Sequence, residues 1–241
     1  MLPANPKCLQ YRHPPPLPKN QYGLSLVELI VGIALSLFVV SGALTLYASQ
    51  LRNSKRAIAE VRLNQELRLT FELITRQLRN AGFWTNALSG TVSAADGSAP
   101  IQNPYATVTS HINNTGVIFN QNFDSNNVID TAEGLGFQLR NGTIQSQLGS
   151  GNWQDLTDPR AILITDFSVT PIITNISSTV ASANFSPCSK TCTDSSTCPQ
   201  LWIRTYTISI VGQAPSDPSI IRALQQTIKV HNDQVTGICP P

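Results

Sequence analysis

Gly23-Leu24-Ser25-Leu26-Val27-Glu28 opens a run that continues from residue 29 to residue 51 without a charged side chain. Residues 29–48 alone give twenty mostly apolar positions, and at about 1.5 Å per residue a helix of that length spans roughly the 30 Å hydrocarbon core of a bilayer. The run predicts a membrane helix. Glu28 stands at its entrance, where a carboxylate entering hydrocarbon costs on the order of 2.5–3.5 kcal/mol unless a cation neutralises it. A cut between Gly23 and Leu24 would place a new α-amine four residues from Glu28. In a packed array of helices, a neighbour's amine could then supply the missing positive charge.

Outward from this segment, residues 1–23 hold six of the sixteen prolines, Pro3, Pro6, Pro14, Pro15, Pro16 and Pro18, which remove backbone donors and interrupt helices. The stretch reads as a leader. Lys7, Arg12 and Lys19 give it three positive charges and no acid, so the rest of the chain carries −1 of the total +2. A basic leader places the N-terminus on the cytoplasmic side, although Arg52, Lys55 and Arg56 beyond the span oppose that bias. The chain has 241 residues, 12% charged and 41% hydrophobic. That is room for one medium domain with an appendage, and disorder through charge excess is excluded. Binding to nucleic acid through bulk charge is disfavoured, because no uniformly basic body exists.

Gly23 to Glu28, the apolar run and the basic leader together resemble the class III signal of type IV prepilins and type II secretion pseudopilins. In that family a membrane peptidase on the cytoplasmic face cuts after the glycine and methylates the new N-terminus. The resemblance implies that Gly23 precedes the cut, that Leu24 becomes the methylated first residue, and that Glu28 is the fifth-position glutamate used in subunit docking. The family usually has Phe where this chain has Leu24. An ordinary secretory signal is a rival reading, with Ser41-Gly42-Ala43 as its small-residue cut site. A plain signal anchor is another, but it explains neither the glycine nor the glutamate.

The helix is expected to continue past the membrane. Leu67, Phe71, Ile74, Leu78 and Ala81 step by four and three, which puts them on one stripe of a helix. Glu72 and Arg76 have the spacing of an i, i+4 ion pair, and Asn80-Ala81-Gly82 carries a left-handed C-cap signal. From residue 24 to residue 81 the helix would be about 87 Å long. Its end, Leu78-Arg79-Asn80-Ala81-Gly82-Phe83, resembles the close of the long helix in PilW-type minor pilins. The organisation expected is a leader at 1–23, a transmembrane helix at 24–51, its amphipathic continuation at 52–82 and a periplasmic head at 83–241.

Residues 85–116 are rich in Ser, Thr, Asn, Gly, Ala and Pro and read as a long loop. Strand-like runs follow at 117–119, 135–140, 143–148, 161–174, 200–211 and 220–231, and Asn141-Gly142 is a type I′ hairpin signal. Alternation between Trp202, Arg204, Tyr206, Ile208, Ile210 and the residues between them fits an antiparallel sheet with one face on the helix. The class is α+β, and the resemblance makes it type IV pilin-like. Cys8 would leave with the leader, so Cys188, Cys192, Cys198 and Cys239 remain on the oxidising side and predict two disulfides. Three pairings are open; the one favoured here has a local bridge within 188–198 and a second tying Cys239 to that cluster. Zinc is the alternative, but the cysteine spacings lack a short paired knuckle.

Residues 124–133 place Asp124, Asp130 and Glu133 in a short polar loop that resembles a calcium loop in outline. The loop lacks the central glycine and is short of twelve residues, so a polar turn is expected instead. No HExxH, GxSxG or GxxxxGK[ST] motif is present, and His111 and His231 have no nucleophile pattern beside them. No enzyme, metal or cofactor is expected. The resemblance implies a minor pilin of the inner membrane, single-pass with its head periplasmic, and in the pilus after assembly. Its partners would be prepilin peptidase, other minor pilins, the major pilin and a tip adhesin. A J-like type II secretion pseudopilin and a tip adhesion module are the alternatives; residues 83–241, with six basic against ten acidic residues, offer nucleic acid no specific site.

Overall fold

The structure, a computed structural model, describes residues 23, 25–90, 101–111, 115–176, 199–231 and 233–238. One helix, α1 (Leu26–Arg79), runs for 54 residues, about 81 Å at helical rise. Its first part, to Arg52, and the remainder of the chain, from Asn53, form separate compact units. In the first unit every described side chain is exposed, including Phe38 at 80% and Leu46 at 74%. Two hydroxyls of this span bond to the helix's own backbone: Ser36 Oγ donates to the Ile33 carbonyl and Thr45 Oγ1 to the Gly42 carbonyl, both at 2.8 Å.

The second unit begins where α1 acquires a buried face. Leu63, Leu67, Ile74 and Leu78 are fully buried, with Phe71 and Ala81 beside them in the same core. Burial on this scale stabilises by roughly 1.5–3 kcal/mol per large side chain, before the cost of ordering. The helix ends at Gly82, whose φ of +74° is the left-handed conformation that the Asn80-Ala81-Gly82 signal requires. The Gly82 amide donates to the Asn120 carbonyl at 2.9 Å, tying the helix end to the sheet. Glu72 and Arg76 form no ion pair despite their spacing. Among the described residues the i, i+4 ion pair on the helix is Arg56 with Glu60 at 3.7 Å, and Arg222 of β8 also approaches Glu60 at 3.5 Å.

The head holds two antiparallel sheets rather than a single one. The first has order β1-β2-β3-β4-β5, with β1 at Val108–His111, β2 at Gly116–Asn120, β3 at Gly134–Arg140, β4 at Thr143–Leu148 and β5 at Trp153–Asp155. The second has order β6-β7-β8, with β6 at Leu163–Asn175, β7 at Gln200–Ala214 and β8 at Asp217–Lys229, while β9 at Gln234–Thr236 pairs with the start of β7. The β3-β4 hairpin turns through Asn141 (φ +52°) and Gly142 (φ +75°), as a type I′ turn demands. The Ile164 amide then donates to the Gly142 carbonyl at 2.9 Å, linking the two sheets. Helix and sheet meet closely at Gly212 of β7, where a Cβ would lie 2.9 Å from Ile162 Cδ1 and 3.2 Å from Leu67 Cδ1.

The polar stretch expected to be one long loop is more ordered than its composition implies. It contains two 3-10 turns, Ala87–Gly90 and Pro104–Ala106, and the strand β1. Asn103 organises the second turn: its Oδ1 accepts from the Tyr105 amide at 2.9 Å, and its Nδ2 donates to the Gly82 carbonyl at 2.8 Å. On β7 the alternation holds, with Arg204, Tyr206, Ile208 and Ile210 buried and the residues between them partly exposed. Arg204 is thus the cation of a core-facing row. Its Nη1 donates to the Ala106 carbonyl, and burial lowers its pKa against the opposing influence of Tyr206 and Asp233.

Candidate functional site

The segment that the sequence marks for processing lies at the start of α1. Gly23 is exposed and outside the helix. Leu24 lies outside the described residues. The helical hydrogen bonding begins at once, the Leu29 amide donating to the Ser25 carbonyl at 3.1 Å. Glu28 falls in the first turn, where the helix dipole favours a negative charge. Its side chain is exposed, and among the described residues it has no ion-pair partner. Behind it the apolar span, none of it buried, is long and apolar enough to cross a membrane. The arrangement is therefore a single exposed carboxylate at the head of an apolar rod.

Elsewhere, the oxygens of residues 124–133 are committed to the chain itself. Asp124 accepts from the Asn126 amide at 3.0 Å and from its Nδ2 at 2.6 Å. Asp130 caps a 3-10 turn, Thr131–Glu133, by accepting from the Ala132 amide at 2.7 Å, and Glu133 completes the capping box. Glu133 is nearly fully buried and also accepts from the Phe123 amide at 3.1 Å. Beside it, Tyr105 is pushed up to about 12 by burial and then by the Glu133 carboxylate, whose contact with the hydroxyl is electrostatic rather than a hydrogen bond of ordinary geometry. Among the described residues no group of three or more His, Cys, Asp or Glu could hold a metal.

His231 is exposed, and Asp233 turns from it to Lys229 at 2.8 Å. A cavity of about 320 Å³ beside them is bordered by Trp84, Gln102, His231 and Asp233. Its two atoms without a hydrogen-bond partner, Trp84 Nε1 and Asp233 Oδ1, are themselves sealed from solvent, so neither is offered to a ligand there. Cys188, Cys192, Cys198 and Cys239 lie outside the described residues.

Two exposed features are not announced by the sequence. Ile58, Val61 and Leu69 are at least half exposed on α1, on the side away from its buried stripe. Phe123, Val128 and Ile129 are exposed on the loop that joins β2 to β3. The eleven-residue step from Ile58 to Leu69 marks a second helical stripe; nothing comparable marks the loop.

An exposed apolar rod with one acid at its head, leading into a helix packed on antiparallel sheets, defines a type IV prepilin-like protein. Residues 18–44 match the prokaryotic N-terminal methylation motif, which covers Gly23, Leu24 and Glu28. Residues 56–230 match the prepilin peptidase-dependent protein B family, and the chain belongs to that family. No curated protein and no solved structure matches it.

Proposed function

We propose that the protein is a minor pilin of PilW type, cut after Gly23 and methylated on Leu24, which helps to initiate or cap a type IV pilus. The observation that carries the reading is Glu28, an exposed carboxylate without a described partner at the head of an uncharged span. Its partner is the α-amine of an adjacent subunit. The pair fixes axial register, because a carboxylate left alone in lipid penalises every other alignment. The mechanism is packing and not catalysis. The rod anchors the chain in the inner membrane with the head periplasmic, where the head meets other minor pilins, the major pilin and a tip adhesin. Cys188, Cys192, Cys198 and Cys239 form two disulfides in the head.

Replacing Glu28 by Ala tests this. Membrane insertion and cleavage are expected to persist, while the amount of protein in sheared filaments falls sharply. Undiminished incorporation would remove Glu28 from the docking role. Deleting the gene separates the assembly role from secretion: lost pili and twitching support a minor pilin, whereas a lost exoprotein with normal pili contradicts it.

A further inference from the structure

Asn141 and Gly142 form the only Asn-Gly step in the chain, and they occupy the two central positions of the β3-β4 turn at φ +52° and +75°. A two-residue turn closes through the flanking pair, Arg140 and Thr143, and leaves its central groups over. The Asn141 side chain is exposed, and among the described residues neither it nor the Gly142 amide has a hydrogen-bond partner. That combination is reactive. The amide carbon of an asparagine is an electrophile within reach of the next residue's backbone nitrogen, and Gly142 brings no side chain to crowd the approach.

Other asparagines of the head are protected against the same reaction. Asn103 accepts from the Tyr105 amide and donates to the Gly82 carbonyl, and it precedes Pro104, which has no N–H to give up. Asn122 and Asn126 accept from the Ser125 and Val128 amides at 2.8 and 2.6 Å, and the side chains of Phe123 and Asn127 follow them. Asn152 is as exposed as Asn141 in kind, but the bulky Trp153 comes next.

We propose that Asn141 is a site of spontaneous covalent modification, converting to aspartate and isoaspartate through a cyclic imide with Gly142. The Gly142 nitrogen gives its proton to solvent base and attacks Asn141 Cγ. A C–N bond forms, the bond from Cγ to Nδ2 breaks, and Nδ2 leaves as ammonia with a proton returned by solvent. Water then opens the imide at one of its two carbonyls. Opening at Cγ gives aspartate on the original main chain; opening at the α-carbonyl gives isoaspartate, whose main chain runs through Cβ and Cγ. The only co-reactant is water.

The fold decides what isoaspartate does at this place. The Gly142 carbonyl accepts from the Ile164 amide at 2.9 Å, which ties the turn to β6 of the second sheet, and Leu163 Cδ1 fills the space where a Gly142 Cβ would stand. Extra main-chain length in a two-residue turn moves Gly142 out of this fit. The bond to Ile164 is then lost, so a change at the surface reaches the joint between the sheets. The inference is independent of Glu28 and of the assembly role.

The test ages the full chain in detergent at mildly alkaline pH and maps it by mass spectrometry after proteolysis at mildly acidic pH, beside an unaged sample. Cleavage after Arg140 and Arg160 gives one fragment, residues 141–160, that holds both Asn141 and Asn152. The expected result is exchange of NH for O at residue 141, in two chromatographic forms, with Asn152 unchanged. The rate should rise about tenfold per pH unit, because the attacking nitrogen must first lose its proton. Hydrogen exchange at the Ile164 amide should become roughly tenfold faster in aged protein, the effect of losing one hydrogen bond. Asn141→Gly keeps a backbone suited to the turn and removes the amide, so it should show neither change on ageing. An amide retained at residue 141, conversion of Asn152 at the same rate, or isoaspartate at residue 141 with Ile164 still protected would overturn the proposal.

Discussion

Gly82 shows how much a single position can be asked to do. It sits at φ +74° at the end of α1, and a Cβ there would lie 3.2 Å from both Arg204 Nη2 and the Tyr105 carbonyl. Gly82→Ala therefore combines a left-handed backbone penalty with a tight contact, and should lower stability by about 1–3 kcal/mol, read as a shift in the urea midpoint of the full chain in detergent. Tyr105 gives a pH signature. Its folded-state pKa is raised to about 12 from the usual 10, so between these values the folded chain binds more protons than the unfolded one. Stability then falls as pH rises from about 10 to about 12, and burial of Tyr206 acts in the same direction. Tyr105→Phe should flatten the decline in melting temperature between pH 9 and pH 11; an unchanged slope would show that the phenol is not the titrating group. Gly82 was legible because its signal is local, a small set of residues closing a periodic run. Tyr105 was not, because its environment comes from Glu133, twenty-eight residues further along the chain.

At the scale of the element, α1 separates positions that look alike in composition. Ile74 is fully buried and Leu69 is 65% exposed, though both are aliphatic and five residues apart. Ile74→Ala should cost about 2–5 kcal/mol through lost burial and the cavity left behind, while Leu69→Ala should stay within about 0.5 kcal/mol. Equal costs at the two sites, measured by chemical denaturation, would mean that α1 packs through a different face. The buried stripe was readable from its alternating steps of four and three, since only one helical face satisfies them. The longer strands were readable as apolar and β-branched runs, and β7 from its alternation, but the division of the strands between two sheets was not. A period of two reports which side of a strand faces inward and says nothing of which strand lies next to it. The strands β1, β5 and β9 have three or four residues each, too few for any period to stand out. Glu72 and Arg76 show the converse: spacing permits an ion pair on an exposed helix face but does not hold two solvated side chains together.

At the scale of the whole molecule, the chain combines an apolar rod that cannot remain in water with a head that folds around its own core. The rod is long and apolar enough to cross a membrane, and Gly23 and Glu28 lie at its N-terminal end. That end was the most legible part of the sequence, because a glycine, a glutamate and twenty uncharged residues at fixed offsets form a combination that composition alone rarely produces. The exposed apolar residues of the loop between β2 and β3 were the least legible, since exposure of a side chain depends on what the fold leaves uncovered. The central claim is that Glu28 waits for an amine that only cleavage after Gly23 can create. Intact mass combined with N-terminal sequencing of protein from native membranes tests it most directly. The account predicts a chain that starts at Leu24 and carries one methyl group on its α-nitrogen; material that retains residues 1–23, or that begins beyond residue 48, would contradict it.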